Sequence, residues 1–376
     1  VPAVFSQGWQ CGFLVGHSVG GWQFRPLFPY GAYVVRFACC CPQVSYSPFF
    51  FVQYAFFTLL CSKGSVMDYG RTNERSVPMM SEHCYSVGGF VLSVSLPSAV
   101  SPDILLPSFR PFKAGGSHDG VELLRFAARP LSSMPEVDVV RLLDDSDNDM
   151  GHIRLYSVGG GYLVELCSAF GGACHRMLAS PDFSRVCAYV RWEDAGVGLV
   201  VSSFVRIAYS QAVLGHGAVS LHAAAVCHAG RAYLFMGRSG TGKSTHASLW
   251  LKHIAGAELL NDDNPTVRIV GGEAVAYGTP WSGKTPCYRQ LAFPIDGIVR
   301  LVQAPSNRFK LLEDIDAFIA IYPGCSVIAE DMALCNGLYD TLVSLAGLVR
   351  VGTLECLPDR EAALLCHDSL AARPSV

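Results

Sequence analysis

At 376 residues and a net charge of −3, the chain is long enough to bury a substantial core and by length points to two domains. It has no run of Lys or Arg, so nothing marks nucleic acid as the partner. Its 15 cysteines are an odd count with no CxxC pair and no Cys/His spacing of a zinc site, which reads as reduced thiols in a cytoplasmic protein.

Residues 1–62 hold no acidic residue, and Arg25 and Arg36 are their only Lys or Arg charges. The apolar run from Phe49 to Cys61 falls short of the ~20 residues a spanning helix needs, so a membrane is not expected as a partner. The pattern of a signal peptide is missing from this stretch. Cys39-Cys40-Cys41 lies in an apolar stretch that lacks the electropositive setting of a reactive thiol. Residues 1–82 are therefore expected to form an atypical N-terminal segment, either disordered or upstream of a true start at Met67, Met79 or Met80.

From residue 83 to 203 the texture becomes that of a β-rich domain. Short β-like runs cover 86–96, 120–126, 153–158, 161–166, 186–190 and 197–202, and Gly159-Gly160 signals a hairpin. Asp144-Asp-Ser-Asp-Asn-Asp149 fails as a calcium loop. Counted from Asp145, it puts Met150 where glycine is required and Tyr156 where a bidentate glutamate belongs. The expectation there is a solvated acidic turn.

A second unit, 204–372, opens with helical spacing over Val205 to Leu214 and carries the strong motif. Gly237-Arg-Ser-Gly-Thr-Gly-Lys-Ser244 fits GxxxxGK[ST] between the strand-like Ala232 to Met236 and the helix-like Thr245 to Ile254. Glycines let successive N–H groups curl around phosphate oxygens, an exposed Lys243 can reach the β- and γ-phosphates, and the Ser244 hydroxyl can ligate Mg²⁺. Gly237, Ser239, Gly240, Thr241, Gly242, Lys243, Ser244 and Thr245 are thus the candidate ATP-binding residues. Downstream, Ala257 to Asp263 reads as a short strand ending in two carboxylates. The runs 266–270 and 273–277 form a hairpin around Gly271-Gly272, which implies a mixed sheet with antiparallel members. Ile298 to Gln303 and Val349 to Cys356 are strand-like, Ala317 to Tyr322 and Ile328 to Leu348 helical, and Pro358 starts a last helix.

Phosphoryl transfer needs a carboxylate for the metal and often another for the attacking hydroxyl, and Asp262-Asp263 offers both. His222, Gly237–Ser244 and Asp262-Asp263 together resemble the catalytic domain of the HPr kinase/phosphorylase family, which shares its fold with the phosphoenolpyruvate carboxykinases. The resemblance covers roughly residues 205–370. It implies an α/β fold with a carboxykinase-like mixed sheet and P-loop, preceded by the smaller β-rich domain. It also implies an ATP- and Mg²⁺-dependent kinase acting on a hydroxyl of a protein, peptide or small molecule. Asp262 with His222 would then handle the hydroxyl proton, and Ser244 and Asp263 would hold the metal, although the two aspartates are interchangeable at this stage. The family's Gly-rich signature with its metal-binding glutamate is replaced here by Tyr277-Gly-Thr-Pro-Trp-Ser-Gly-Lys284, so the metal shell or the substrate must differ. Lys284 and Arg289 are either phosphate-facing or surface cations. A phosphoenolpyruvate carboxykinase-type enzyme and a non-catalytic ATP-binding regulatory module are the alternatives, and homo-oligomerisation is left open.

Overall fold

The structure, a computed structural model, describes residues 79–115, 120–148, 150–168 and 172–371. Of the atypical segment expected over 1–82, residues 1–78, with Met67 and the Cys39-Cys40-Cys41 run, lie outside the described residues, whereas Met80 to Glu82 belong to a strand that continues to Val87. Two large mixed sheets and six helices build an α/β architecture among the described residues.

The first sheet contains β1 (Met80–Val87), β2 (Phe90–Pro97), β3 (Val121–Pro130), β4 (Val139–Asn148), β5 (Gly151–Val158), β6 (Gly161–Ser168), β7 (Cys174–Ala179) and β8 (Arg185–Val190). Their spatial order is β1-β2-β3-β8-β7-β6-β5-β4. β3 runs parallel to both β2 and β8, and the other pairs are antiparallel. The continuous run expected over 86–96 is instead split by a two-residue turn at Gly88-Gly89, with Val87 paired to Phe90. The acidic run is also not a turn. β4 extends through Asn148 and pairs residue for residue with β5 from Asp144 onward, where Arg154 on the facing strand supplies Asp145 with a counter-charge and the His152 ring lies 3.0 Å from both Asp145 and Asp147. The β6–β7 hairpin sets Cys167 opposite Cys174, and the two are joined in a disulfide, so the reading of every thiol as reduced does not hold for this pair.

A short α1 (Pro102–Leu105) follows β2, and α2 (Val197–Ala212) follows β8. The strand expected over 197–202 is the first turn and a half of α2. Its β-branched valines mimic a strand, but Val200, Val201, Phe204, Val205 and Ala208 recur at three- and four-residue spacing and all are buried, which fixes the helix. With the 3₁₀ turn after it, 197–216 is the one stretch among the described residues long and apolar enough to cross a bilayer, and it is mostly buried inside the fold.

The second sheet contains β9 (Ala218–Ser220), β10 (Ala223–His228), β11 (Arg231–Met236), β12 (Glu258–Asn261), β13 (Thr266–Val270), β14 (Glu273–Tyr277), β15 (Ala292–Gln303), β16 (Arg308–Leu312) and β17 (Arg350–Cys356). β15 is the long shared member. Its first residues pair antiparallel with β14, and its remainder lies between β11 and β17, parallel to both. α3 (Lys243–His253) and α6 (Arg360–Ala371) cover one face, where Phe235, Trp250, Val299, Leu301 and Cys366 form a compact core. α4 (Asp314–Ile321) and α5 (Met332–Leu348) belong to the opposite face. Its core is continuous with that of the first sheet, running from Tyr85 and Phe126 through Phe204 and Tyr209 to Val267 and Leu342.

Candidate functional site

Strand β11 delivers the glycine loop and α3 receives it, as the motif requires. Gly242 caps α3 at φ +105°, a conformation that L side chains rarely adopt, so the glycine sets the angle at which the helix leaves the loop. The N–H groups of the first turn of α3 lack intrahelical partners and face the same space as the loop. Lys243 is not the exposed loop residue expected from sequence. It is the first residue of α3, only 9% exposed, and its Nζ donates to the Gly237 carbonyl at 3.3 Å. Burial pushes its pKa below the ordinary lysine value, opposed by the negative charges of Asp263 and Asp262. Behind it His246 is driven down to about 4 by burial, stays neutral, and accepts the indole N–H of Trp250 at 3.2 Å.

The aspartate pair sits at the turn just after β12, two strands from β11 in the order β12-β10-β11-β15. A single buried amide holds this turn in place. Asn261 Oδ1 accepts from the N–H groups of Asp263 (3.0 Å) and Asn264 (2.8 Å), while its Nδ2 donates to Thr279 Oγ1 (3.2 Å) and the Trp281 carbonyl (2.9 Å). Asn261 thereby ties the acidic turn to the loop 279–285. Trp281 anchors that loop from below, packed between Tyr209 and Phe109 and donating to the Ser202 carbonyl at 3.2 Å. Gly283 then passes so close to the pair that a Cβ would lie 3.2 Å from the Asp262 carbonyl and 3.3 Å from Asp263 Cβ.

The two aspartates have different surroundings. Asp262, 3% exposed, accepts the Thr285 N–H at 2.9 Å. Asp263 faces Arg206 of α2 (3.4 Å), Asn264 and His222, whose Nε2 is 3.8 Å from Asp263 Oδ1. His222 lies at the bend one residue before β10, its side chain half exposed. The sequence reading joined His222 to Asp262; the short contact is with Asp263, because Ala223 N–H bonds to the Asp263 carbonyl and draws the two segments together.

The glycine loop, His222, Asp262, Asp263 and the 282–284 loop line one cleft of about 930 Å³. Of the expected residues, Gly237, Ser239, Gly240, Gly242, Lys243, Ser244, Thr245 and Lys284 line it, and Thr241 belongs to the same loop with its hydroxyl donating to the Arg238 carbonyl. Arg289 does not join them. Its guanidinium is committed to the Leu259 carbonyl and to Glu258, both at 2.7 Å, which turns it away from the cleft. Residues that the sequence reading missed are Asn261, Arg206 and Arg300 of β15; the last two line the cleft, and their only local signal is a charge interrupting an apolar run. The opposite wall is the acidic end of β4, including Asp144, Asp145 and Asp147.

Among the described residues no group of three or more His, Cys, Asp or Glu side chains is placed to hold a metal alone. Ser244 with one carboxylate of the pair is nevertheless a donor set that suits Mg²⁺, which takes one or two protein oxygens and completes its shell with water and substrate phosphates.

No family model matches the sequence, and no curated protein matches it. Among solved structures the chain is similar to the HPr(Ser) kinase/phosphatase from Coxiella burnetii, at 12% identity and a TM-score of 0.24 over 40% of this chain and 87% of that one.

Proposed function

We propose that the protein is an ATP- and Mg²⁺-dependent phosphotransferase that moves the γ-phosphoryl group to a hydroxyl of a protein, peptide or small molecule. The observation that carries this reading is the meeting, in one cleft, of a GxxxxGKS loop at a strand-to-helix junction and a carboxylate pair touched by a histidine. The loop N–H groups and Lys243 hold the phosphate chain, and Ser244 with Asp262 holds Mg²⁺, which neutralises charge on the phosphate oxygens when bound. Asp263, with His222 beside it, takes the proton of the acceptor hydroxyl. The hydroxyl oxygen forms a bond to the γ-phosphorus, the bond to the β,γ-bridging oxygen breaks, and ADP leaves with that electron pair. This division reverses the roles expected of Asp262 and Asp263, and the contact between His222 and Asp263 is its motive.

The test uses γ-labelled ATP, MgCl₂ and a cell lysate as acceptor source, with ATP affinity measured in parallel. Asp263→Asn is expected to lower the transfer rate by about 100-fold or more, the usual scale for general-base catalysis, with ATP affinity largely kept. His222→Ala should cost little more in the double variant, because groups acting as a unit are non-additive. Asp262→Asn should weaken nucleotide binding chiefly at low Mg²⁺. ATP binding with no labelled product from wild-type protein would replace the kinase reading by that of an ATP-regulated binding module, and absence of ATP binding would end both.

A further inference from the structure

Among the described residues, Arg300 is the half-buried cation of the cleft without a counter-charge. The parallel register sets it beside Met236, the last residue of β11 before the glycine loop. Its strand neighbours Val299 and Leu301 point into the core beneath α3 and α6, so the alternation of a strand turns Arg300 to the opposite face, where it lines the cleft. No hydrogen bond or carboxylate partner engages its guanidinium among the described residues. The other cations there are accounted for. Arg206 faces Asp263, Lys243 donates to the Gly237 carbonyl, and Arg238 and Lys284 are exposed to water. A guanidinium on the wall of the cleft with no carboxylate of its own leaves its donors open to an anionic ligand.

We infer that Arg300 is a binding residue for the phosphate chain of the nucleotide, gripping its oxyanions from the β15 side. The inference rests on the nucleotide reading of the cleft. Strand order puts the glycine loop between the acidic turn after β12 and Arg300 on β15. A polyanion held by the loop is therefore flanked by carboxylates, which act through metal and proton, on one side and by a bidentate donor on the other. Arginine suits that position, because its planar fork matches two oxygens of a phosphate at once.

The experiment is calorimetric titration with Mg·ATP and Mg·AMP, together with melting of the nucleotide-free protein, for the full chain and for Arg300→Met, Arg300→Lys and Arg308→Gln. Arg308 is an exposed arginine paired with Glu355 and serves as the charge control. For Arg300→Met the expected result is a 10- to 100-fold weaker affinity for ATP, roughly the scale of a lost charge-assisted hydrogen bond, with a smaller loss for AMP. The nucleotide-free form should melt at the same or a higher temperature, which a residue with a packing role would not do. Arg300→Lys should recover part of the affinity, and Arg308→Gln should leave it unchanged. ATP affinity unchanged in Arg300→Met, or Met and Lys variants equally weak and both melting below the parent, would overturn the inference. Failure of the parent chain itself to bind ATP would instead remove the nucleotide reading on which it rests.

Discussion

Lys243 sits where two demands conflict. Its ammonium must stay charged to meet phosphate, yet burial favours the neutral amine, and the nearby charges of Asp263 and Asp262 offset this only in part. Lys243→Met keeps the apolar stem and removes the charge. We expect the transfer rate to fall by about 100- to 1000-fold, the scale of losing one electrostatic donor, while the nucleotide-free protein melts no lower than the parent. A fall in melting temperature with the rate retained would make Lys243 a packing residue. The motif around it was legible because its chemistry is local: eight consecutive residues carry the turn, the donors and the helix start. Asn261 was not legible, since its role comes from residues 18 to 20 positions away that only the folded sheet brings within reach. The same holds for Arg206, whose partner Asp263 lies 57 residues downstream.

At the scale of elements, alternation and turn chemistry found the 266–277 hairpin, the β5–β6 hairpin and β17, whose patterns are short and self-contained. They failed for the start of α2, where valine content outweighed helical spacing, and for β4, where charge concealed a strand. β4 also holds a buried carboxylate. Burial raises the pKa of Asp144, and the Ser146 hydroxyl, donating at 2.8 Å, only partly offsets this. A raised folded-state pKa means that the native protein binds the proton more tightly than the unfolded chain does. Its contribution to stability is therefore complete below the unfolded value, about 3.9, and is lost as pH rises through the folded pKa. Asp144→Asn is accordingly expected to melt above the parent at pH 7, with the difference closing as the pH approaches 4. Melting curves across that range check it, and a gap that widens on acidification would contradict it.

Across the whole molecule, the two halves read from sequence are joined by a continuous core in which Phe204, Val205 and Tyr209 of α2 lie among side chains of both sheets. Tyr209 makes the link polar as well as apolar, its hydroxyl 2.9 Å from Thr266 Oγ1. Cutting such a core exposes large apolar areas at roughly 25 cal/mol per Å², so neither half is expected to be stable alone. Residues 204–371 expressed separately should show no cooperative calorimetric transition, whereas the full chain should melt these regions together. A retained transition in the fragment would show that the second sheet is an independent unit.

The exchange of partners along β15 also sets a timetable for biosynthesis. Its antiparallel neighbour β14 precedes it closely, and β11 is already made, but β17, which covers its other edge from Gly297 to Gln303, begins only at Arg350. During translation, at roughly 5–20 residues per second, that edge waits open for several seconds next to the newly made glycine loop. An unpaired edge of apolar residues invites pairing with other chains. Slowing synthesis between residues 303 and 350 should therefore increase aggregation of the nascent protein more than slowing it after residue 356, and the difference would reflect the order of strand arrival rather than the stability of the finished fold.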